Sequence, residues 1–565
     1  MAQWDISTQK YVSILTLFGL NLLLCITFGF HPDKWYAFIF ILALGTFINS
    51  LSVLSLFINW ITNTSAGTDA SSFASLSAQV SKGRNILYFV PCYNETRAEL
   101  TKTLNSLTSQ YHQTQDEIGI IIICDGRVRG VGSDNSTDVN LKLILRTYNG
   151  IQDSYKNAAG ETVTVEVVNC FYQGVKVLLL IKDINQGKRD SVTLVRRLAL
   201  NISSEVTRSL LLRFIAWNDG LPNYIVGVDA DTVLDNMCTQ KLVTRLEQGG
   251  VNCMGCVGLV VPKRKWNTYV MFQYAEYHFG QFLRRRAQSE LTHKVNCLSG
   301  CNQILRVCPE TCGDKLLNRF NRIPEPEESI FSHIRSYASE DRNHVCLMLS
   351  MYPYVTTVQE PEALAWTGVP ETVQVFLSQR RRWTLGALSN DMLLTYLPGI
   401  NLFERIASLI NIIIFSVNPF ILASAVFFIN AIVNFPNMLM LYLSIPMVVP
   451  HAYTLLAVPL LRGFWFKEIV YYYLSYIVYL AMGLPVSTVV YIYSLLGMDT
   501  FKWGKTRRIT STLESNSETP WTLVQVPVPV QAQVPVQMQE QDNEWDDNGD
   551  NGTDMTTYEM CETDV

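Results

Sequence analysis

Three short runs of this chain carry residue types that could do chemistry together: Asp229-Ala230-Asp231, Glu340-Asp341-Arg342 and Gln379-Arg380-Arg381-Arg382-Trp383. Acids of the first run can hold a metal-bound diphosphate. A carboxylate of the second can act as a base. The Arg/Trp cluster can grip phosphate and sugar, and a long hydrophobic stretch follows it. Each run alone has a plain reading: a solvated turn, a surface charge cluster, or a juxtamembrane polybasic patch against anionic lipid. In this order, ahead of membrane spans, they describe an enzyme that handles a nucleotide sugar beside a bilayer.

The roles follow from residue type. Asp229 and Asp231 come directly after the apolar run Tyr224–Val228. A carboxylate there can ligate Mg2+ or Mn2+, which prefers hard oxygen ligands, and Asp231 is the expected metal ligand. Lys188, in Asn185-Gln186-Gly187-Lys188-Arg189-Asp190-Ser191, follows another apolar run and can neutralise phosphate. Sugar transfer with inversion needs a carboxylate to take the acceptor hydroxyl's proton. Asp341 is the expected base, with Glu340 and Arg342 orienting and tuning it. Arg380 to Arg382 offer bidentate phosphate donors, and the Trp383 indole offers a platform for a sugar's C–H face.

The elements that must position these residues read as a parallel sheet. Ile86–Val90 is an apolar run ending at Pro91, a polar helix follows from about Thr96 to Ser109, and Ile120–Cys124 ends at Asp125-Gly126. Residues 177–181 and 224–228 give two more apolar runs. Strand, helix, strand, with a polar residue at each strand's end, is the pattern of a nucleotide-binding sheet, whose ligands sit at the carboxyl ends of its strands.

Around this block lie stretches without Lys, Arg, Asp or Glu, at 11–30, 36–59, 406–461 and 469–498. A bilayer core needs about 20 apolar residues per helix. The first two runs each span once. Residues 406–461 span twice, with a turn near Asn434-Phe435-Pro436-Asn437. The first run lacks the basic leader of a signal peptide, so residues 1–60 read as a membrane hairpin that leaves the N-terminus and residues 61–402 on one side. The loop His31–Trp35 holds one Lys, whereas 61–402 holds most of the Lys and Arg, which puts the large block in the cytosol. Residues 61–81 are a Ser/Thr/Ala-rich linker, helices near 265–290 and 371–395 lie at the membrane interface, and 403–500 forms a channel region. The tail 515–565 has no Lys or Arg and reads as disordered and acidic. A net charge of −5 argues against nucleic acid as a partner. Thirteen cysteines facing the cytosol are thiols. Cys253-x2-Cys256 invites a zinc reading, but Cys256 opens an apolar strand that buries it.

Taken together, these motifs resemble the processive family 2 glycosyltransferases, and most closely the chitin synthases, from about residue 86 to 508. Val90-Pro91-Cys92-Tyr93-Asn94-Glu95 is similar to the family's opening motif, whose Tyr stacks on uracil. Cys124-Asp125-Gly126, continuing to Gly130-x-Gly132-x-Asp134 and Thr137, resembles a stretch typical of chitin synthases. Cys297-Leu298-Ser299-Gly300-Cys301 resembles the acceptor-site turn, with Ser299 where the family has Pro. Gln379–Trp383 matches the family signature at all five positions, and Trp503-Gly504-Lys505-Thr506-Arg507 resembles its Trp-Gly-x-Thr-Arg element within 501–514.

The resemblance implies a GT-A-like α/β glycosyltransferase domain in the cytosol joined to an α-helical transmembrane domain. It implies donor binding by Pro91, Tyr93, Glu95, Asp125, Lys188, Asp229, Gln379, Arg382, Trp503, Thr506 and Arg507. Acceptor binding falls to Gly300, Cys301 and Trp383. The enzyme would add N-acetylglucosamine from UDP-N-acetylglucosamine to the 4-hydroxyl of a growing chitin chain, using Mg2+ or Mn2+. It would then pass the β-1,4 polymer through its own channel in the plasma membrane, in contact with lipid and with room for a homo-oligomer. Hyaluronan and cellulose-type synthases share the acids and the Gln-x-x-Arg-Trp pattern; the Gln-Arg-Arg-Arg-Trp spelling and the Cys124–Thr137 stretch favour chitin. A transporter with a regulatory domain would carry ionisable groups in its spans, and here only His451 does so. One conflict stays within the sequence. A single span at 469–498 would leave Trp503 outside the cytosol, so a bend at Gly483-Leu484-Pro485 is expected there.

Overall fold

The computed structural model describes residues 5–30, 35–65, 83–113, 115–130, 133–200, 221–434 and 438–501. The expected linker, the disordered tail, the middle of the Asn434–Asn437 turn and the whole Trp503–Arg507 element lie largely or wholly outside these residues.

Ten strands form one mixed sheet in the order β3-β4-β5-β2-β1-β6-β9-β8-β10-β7. They are β1 (Asn85–Cys92), β2 (Glu117–Asp125), β3 (Ile151–Lys156), β4 (Thr162–Tyr172), β5 (Val175–Lys182), β6 (Tyr224–Gly227), β7 (Val233–Leu234), β8 (Cys253–Pro262), β9 (Gln303–Arg306) and β10 (Thr356–Thr367). The centre, β5-β2-β1-β6, is parallel throughout. Such strands are covered on both faces and read as unbroken apolar runs, and Ile120 to Cys124 are all fully buried. One face packs Ile86, Tyr88, Ile120, Ile122 and Val226 against the helix Arg97–Thr108. The other packs Leu87, Phe89, Ile121 and Ile225 against the helix Lys188–Leu200. Thr96 caps the first of these helices in a reciprocal box with Glu99, which fixes where the chain leaves β1. All four parallel strands end at the same edge, so Tyr93, Asp125, Lys188 and Asp229 emerge there together.

Among the described residues, four helices are long and apolar enough to cross a membrane, or five if a bent pair counts as one span. The N-terminal helices are Ile6–Phe30 and Trp35–Ser65. The stretch expected to span twice contains Leu402–Ser416, Asn418–Asn434 and Met438–Arg462, with a 70° bend between the first two. A bend of that size strands backbone groups. Asn21 of the N-terminal helix satisfies two of them, donating to the Ser416 carbonyl at 2.8 Å and accepting from the Phe420 amide at 2.9 Å.

The expected break at Gly483-Leu484-Pro485 is absent: Phe466–Leu496 is one continuous helix of 31 residues. Both its ends rest on the segment that carries the sheet. Near its start Tyr471 donates to the Lys265 carbonyl at 2.8 Å and Glu468 pairs with Arg264 at 3.2 Å. Near its end Tyr491, Leu495 and Met498 pack with Ile330, Ile334 and Leu385.

Candidate active site

The edge where the parallel strands end gathers most of the expected donor residues. Pro91 closes β1, and Glu95 turns back to accept from the Tyr93 amide at 2.7 Å, which holds the Tyr93 loop. Asp125 ends β2. Its Oδ1 accepts from the Gln186 amide at 2.9 Å and lies 3.1 Å from Lys182, a fully buried lysine that also pairs with Asp190 at 2.8 Å. Asp229, two residues past the end of β6, pairs with Lys188 at 2.7 Å, and Lys188 also lies 3.6 Å from Glu340. Burial works against the Lys188 charge, but Asp229, Asp341 and Glu340 outweigh it and hold the ammonium well above its usual range.

Glu340 and Asp341 open the helix Glu340–Met351, where a helix N-terminus favours negative charge. Val373–Tyr396 crosses the start of this helix closely: a Cβ on Gly386 would stand 2.4 Å from the Ser339 Cβ. Asp341 Oδ2 accepts from the Gly300 amide at 2.8 Å, and a Cβ at 300 would meet its Oδ1 at 2.6 Å. The acceptor turn and the expected base are thus in direct contact. Burial first, then the carboxylates of Glu340 and Asp229, push Asp341 up to about 6 against the pull of Lys188 and the Gly300 amide. Glu340 goes the other way. Burial would raise it, yet Lys188, its own amide, Arg382 and Arg189 hold it below the usual carboxylate range. Two adjacent acids driven apart in this way divide the roles: Glu340 stays charged, and Asp341 is poised to exchange a proton.

Arg342 does not join them. Its Nη2 reaches Asp391 on Val373–Tyr396 at 2.7 Å, so it braces two helices. The three arginines of the Gln379–Trp383 run also separate. Arg380 pairs with Glu276 and stacks 4.3 Å from the Trp383 ring. Gln379 accepts from Arg380 at 3.0 Å. The Arg381 side chain packs against Gly497, at the end of the long C-terminal helix. Arg382 alone turns to the acids: burial lowers it, and Glu340 and Asp229 support its charge. Trp383 is 41 % exposed beside Tyr277, with ring centroids 6.0 Å apart. Ser299, where the family has proline, accepts from Arg285 at 3.1 Å, so a hydrogen bond steadies the turn in place of a ring. Burial pushes the Cys301 thiol well above its usual range, which makes it unreactive.

Asp231 accepts bonds of 3.4 Å from Thr232 and Thr367. Among the described residues, no group of three or more His, Cys, Asp or Glu could hold a metal. Asp231, in the turn after β6 and two residues from the Asp229 that pairs with Lys188, fits a hard divalent ion, which takes one or two carboxylates and completes its shell with water and substrate phosphate.

A profile of the family described as chitin synthase matches residues 68–176 and 164–522. The chain belongs to the chitin synthase family. It is 32% identical over 540 residues to chitin synthase 8 of Gibberella zeae, covering 90% of this chain and 79% of that one. To chitin synthase 8 of Verticillium dahliae it is 30% identical over 473 residues, 75% of each chain. A solved mannosyltransferase from Pyrobaculum calidifontis, in complex with GDP-Man and Mn2+, aligns with 83% of this chain and 100% of its own at 10% identity and a TM-score of 0.41. That likeness is too slight to say more of this chain. The chain is therefore a glycosyltransferase of the chitin synthase kind, acting with a nucleotide sugar and a polysaccharide acceptor, and its apolar helices mark it as a membrane protein.

A chitin synthase of this build relies on residues the sequence did not single out. Arg189 donates to Asn343 at 3.1 Å and to the Arg335 carbonyl at 2.7 Å, locking the helix of Lys188 to the helix of Asp341. Lys182 sits beneath Asp125, and Asp391 faces Arg342. Lys182 ends an apolar strand, a signal that could have found it. Asp391 lies in a helix with no such mark.

Proposed function

We propose that this protein is a processive chitin synthase that polymerises N-acetylglucosamine from UDP-N-acetylglucosamine with inversion and moves the β-1,4 chain across its membrane. The observation that carries this reading is the contact of Asp341 with the Gly300 amide, beside the Lys188–Asp229 pair. It sets a proton-accepting carboxylate between an acceptor turn and a phosphate-binding edge. Asp341 takes the proton of the acceptor's 4-hydroxyl as that oxygen attacks the anomeric carbon, and UDP departs on the opposite face. Lys188 and Arg382 meet the diphosphate, and Tyr93, Glu95 and Asp125 hold the base and ribose end. Asp231 would hold a Mg2+ or Mn2+, which offsets the charge of the departing diphosphate when bound. Trp383 takes the terminal sugar of the acceptor on its exposed face.

The catalytic domain faces the cytosol in this reading. The seating of Phe466–Leu496 at both ends on the catalytic segment supports a helix laid along the membrane face of that domain and not across the bilayer. In this reading the chain after the helix stays on the side of the donor. The test is purified protein in nanodiscs with UDP-N-acetylglucosamine and Mg2+ or Mn2+. UDP release with a chitinase-sensitive polymer is expected. A polymer resistant to chitinase, or donor turnover without polymer, overturns the reading.

A further inference from the structure

Beside the base lies a cavity lined by Pro91, Lys188, Arg196, Gly300, Gln303 and Asp341. Its size matches a single water molecule, which needs polar partners to stay. Lys188, Val192, Val195 and Arg196 all line it. That i, i+4, i+7, i+8 spacing is one face of the helix Lys188–Leu200. Lys188 stands at the start of this face and Arg196 about two turns further along it. Arg196 is only 4% exposed. Its Nη1 is buried and has no hydrogen-bond partner among the described residues, while its guanidinium rests 5.8 Å from the Phe320 ring.

A buried guanidinium with an unsatisfied N–H is costly, and an apolar side chain of similar length would be cheaper if packing were its whole task. Its surroundings say which charge it answers. Around it stand Cys312, Asp341, His344 and Arg189. Burial pushes His344 well below its usual range, so it is neutral, and Arg189 adds like charge. Burial pulls Arg196 itself down to about 10, and Cys312 and Asp341 oppose that pull. Burial keeps Cys312 a thiol, raised above its usual range. The carboxylate that faces Arg196 is therefore Asp341. From the other sides Asp341 meets Lys188, Glu340 and Asp229, with Cys297 and Cys301 in the acceptor turn and Arg382 beyond Glu340.

We propose that Arg196 is a positioning residue for the base: through the one water the cavity admits, it supports the Asp341 carboxylate and holds its orientation and its negative charge for the acceptor hydroxyl. This rests on Asp341 being the base. Lys188 serves the same carboxylate but must also meet the donor's phosphate. Arg196 lies about two turns along the helix from Lys188, so the support it gives is separate from the phosphate contact.

The experiment is a pH–rate profile of UDP release in nanodiscs for the parent, Arg196→Met, Arg196→Lys and Asp341→Asn. Losing this cation makes Asp341 easier to protonate. The acidic limb of the Arg196→Met profile should move to higher pH by about one unit, roughly a tenfold loss below the limb, with little change on the plateau. Arg196→Lys should restore most of the shift. The donor KM should stay within about twofold, because Arg196 acts on the reaction only through the base, and the melting temperature should not fall. An Arg196→Met limb that coincides with the parent's overturns the proposal, as does a donor KM that rises in step with the loss. If Arg196→Met does not accumulate folded, the same comparison is read between Arg196→Lys and Arg196→Gln, and coincident limbs overturn it again. Should Asp341→Asn keep normal turnover, it is the base assignment that fails; should it collapse while the limb stays put, the failure is that of Arg196 alone.

Discussion

The donor edge of the sheet and the membrane flank are built on different rules. At the edge each functional acid stands at or just past the end of a parallel strand and is balanced by a neighbour close in space: Asp125 by Lys182 and Asp229 by Lys188. Strand ends are fixed by backbone hydrogen bonds, so these positions are rigid before any ligand arrives. On the flank, Arg380–Glu276 and Arg342–Asp391 join separate helices to one another. The edge presents charge to a ligand; the flank spends most of its charge on holding itself together. One motif straddles both. Of its three consecutive arginines, Arg382 serves the edge, while Arg380 and Arg381 serve the flank.

The comparison breaks most visibly at the base. Asp341→Asn keeps the shape but cannot take the proton, and turnover should fall by about 100-fold or more while UDP binding persists. The wild-type rate should itself decline as the pH drops through about 6, since the base loses its charge there. An acid-insensitive rate between pH 5 and 7 would assign the proton to another group. Next comes Asp231→Ala. Mn2+-dependent UDP binding, followed by calorimetry, should disappear, and chelator should silence the parent; full activity in excess chelator argues for metal-independent chemistry. Trp383→Ala sharpens the division between the regions. Polymer length and yield should drop by roughly tenfold with UDP affinity intact, and Phe should recover part of it because stacking needs a flat apolar face more than the indole N–H. Equal loss of UDP binding would mean that edge and flank are one unit. The smallest effect belongs to Glu276→Gln. The pair it breaks is partly exposed, at 36% for the Glu276 side chain, and such pairs contribute little. Polymer synthesis should fall by less than about threefold, measured against unchanged UDP affinity.

How much of this was legible follows the same line. The four parallel strands could be read because each is an apolar run ended by a polar residue, and the donor acids came with them. β10 was hidden by Glu360-Pro361-Glu362 in its middle. A register shift between Glu360 and Leu364 lets the strand carry that proline as a bulge. The β3–β4 hairpin had a period-2 signal in Val163, Val165 and Val167, all buried, but it lies outside the alternation of strand and helix that guided the reading. β7 has two residues, too few for any pattern. The pairing of Arg342 with Asp391 was hidden for a different reason. Sequence adjacency to Asp341 suggested a shared task, yet neighbours on a helix point about 100° apart, and the guanidinium turns to a partner 49 residues away.

The long helix Phe466–Leu496 has a mechanical consequence. At 1.5 Å per residue it is a rod of about 46 Å, pinned at one end by Arg264 and Lys265 and at the other against Leu385 and Arg381. A rod fixed at two distant points can neither tilt nor slide without loosening both pins. A disturbance at the end of the apolar helix Met438–Arg462 is therefore felt beside the arginine run, with no relay of side chains between. Substitutions at the two pins should then be non-additive, although no residue at one touches any at the other.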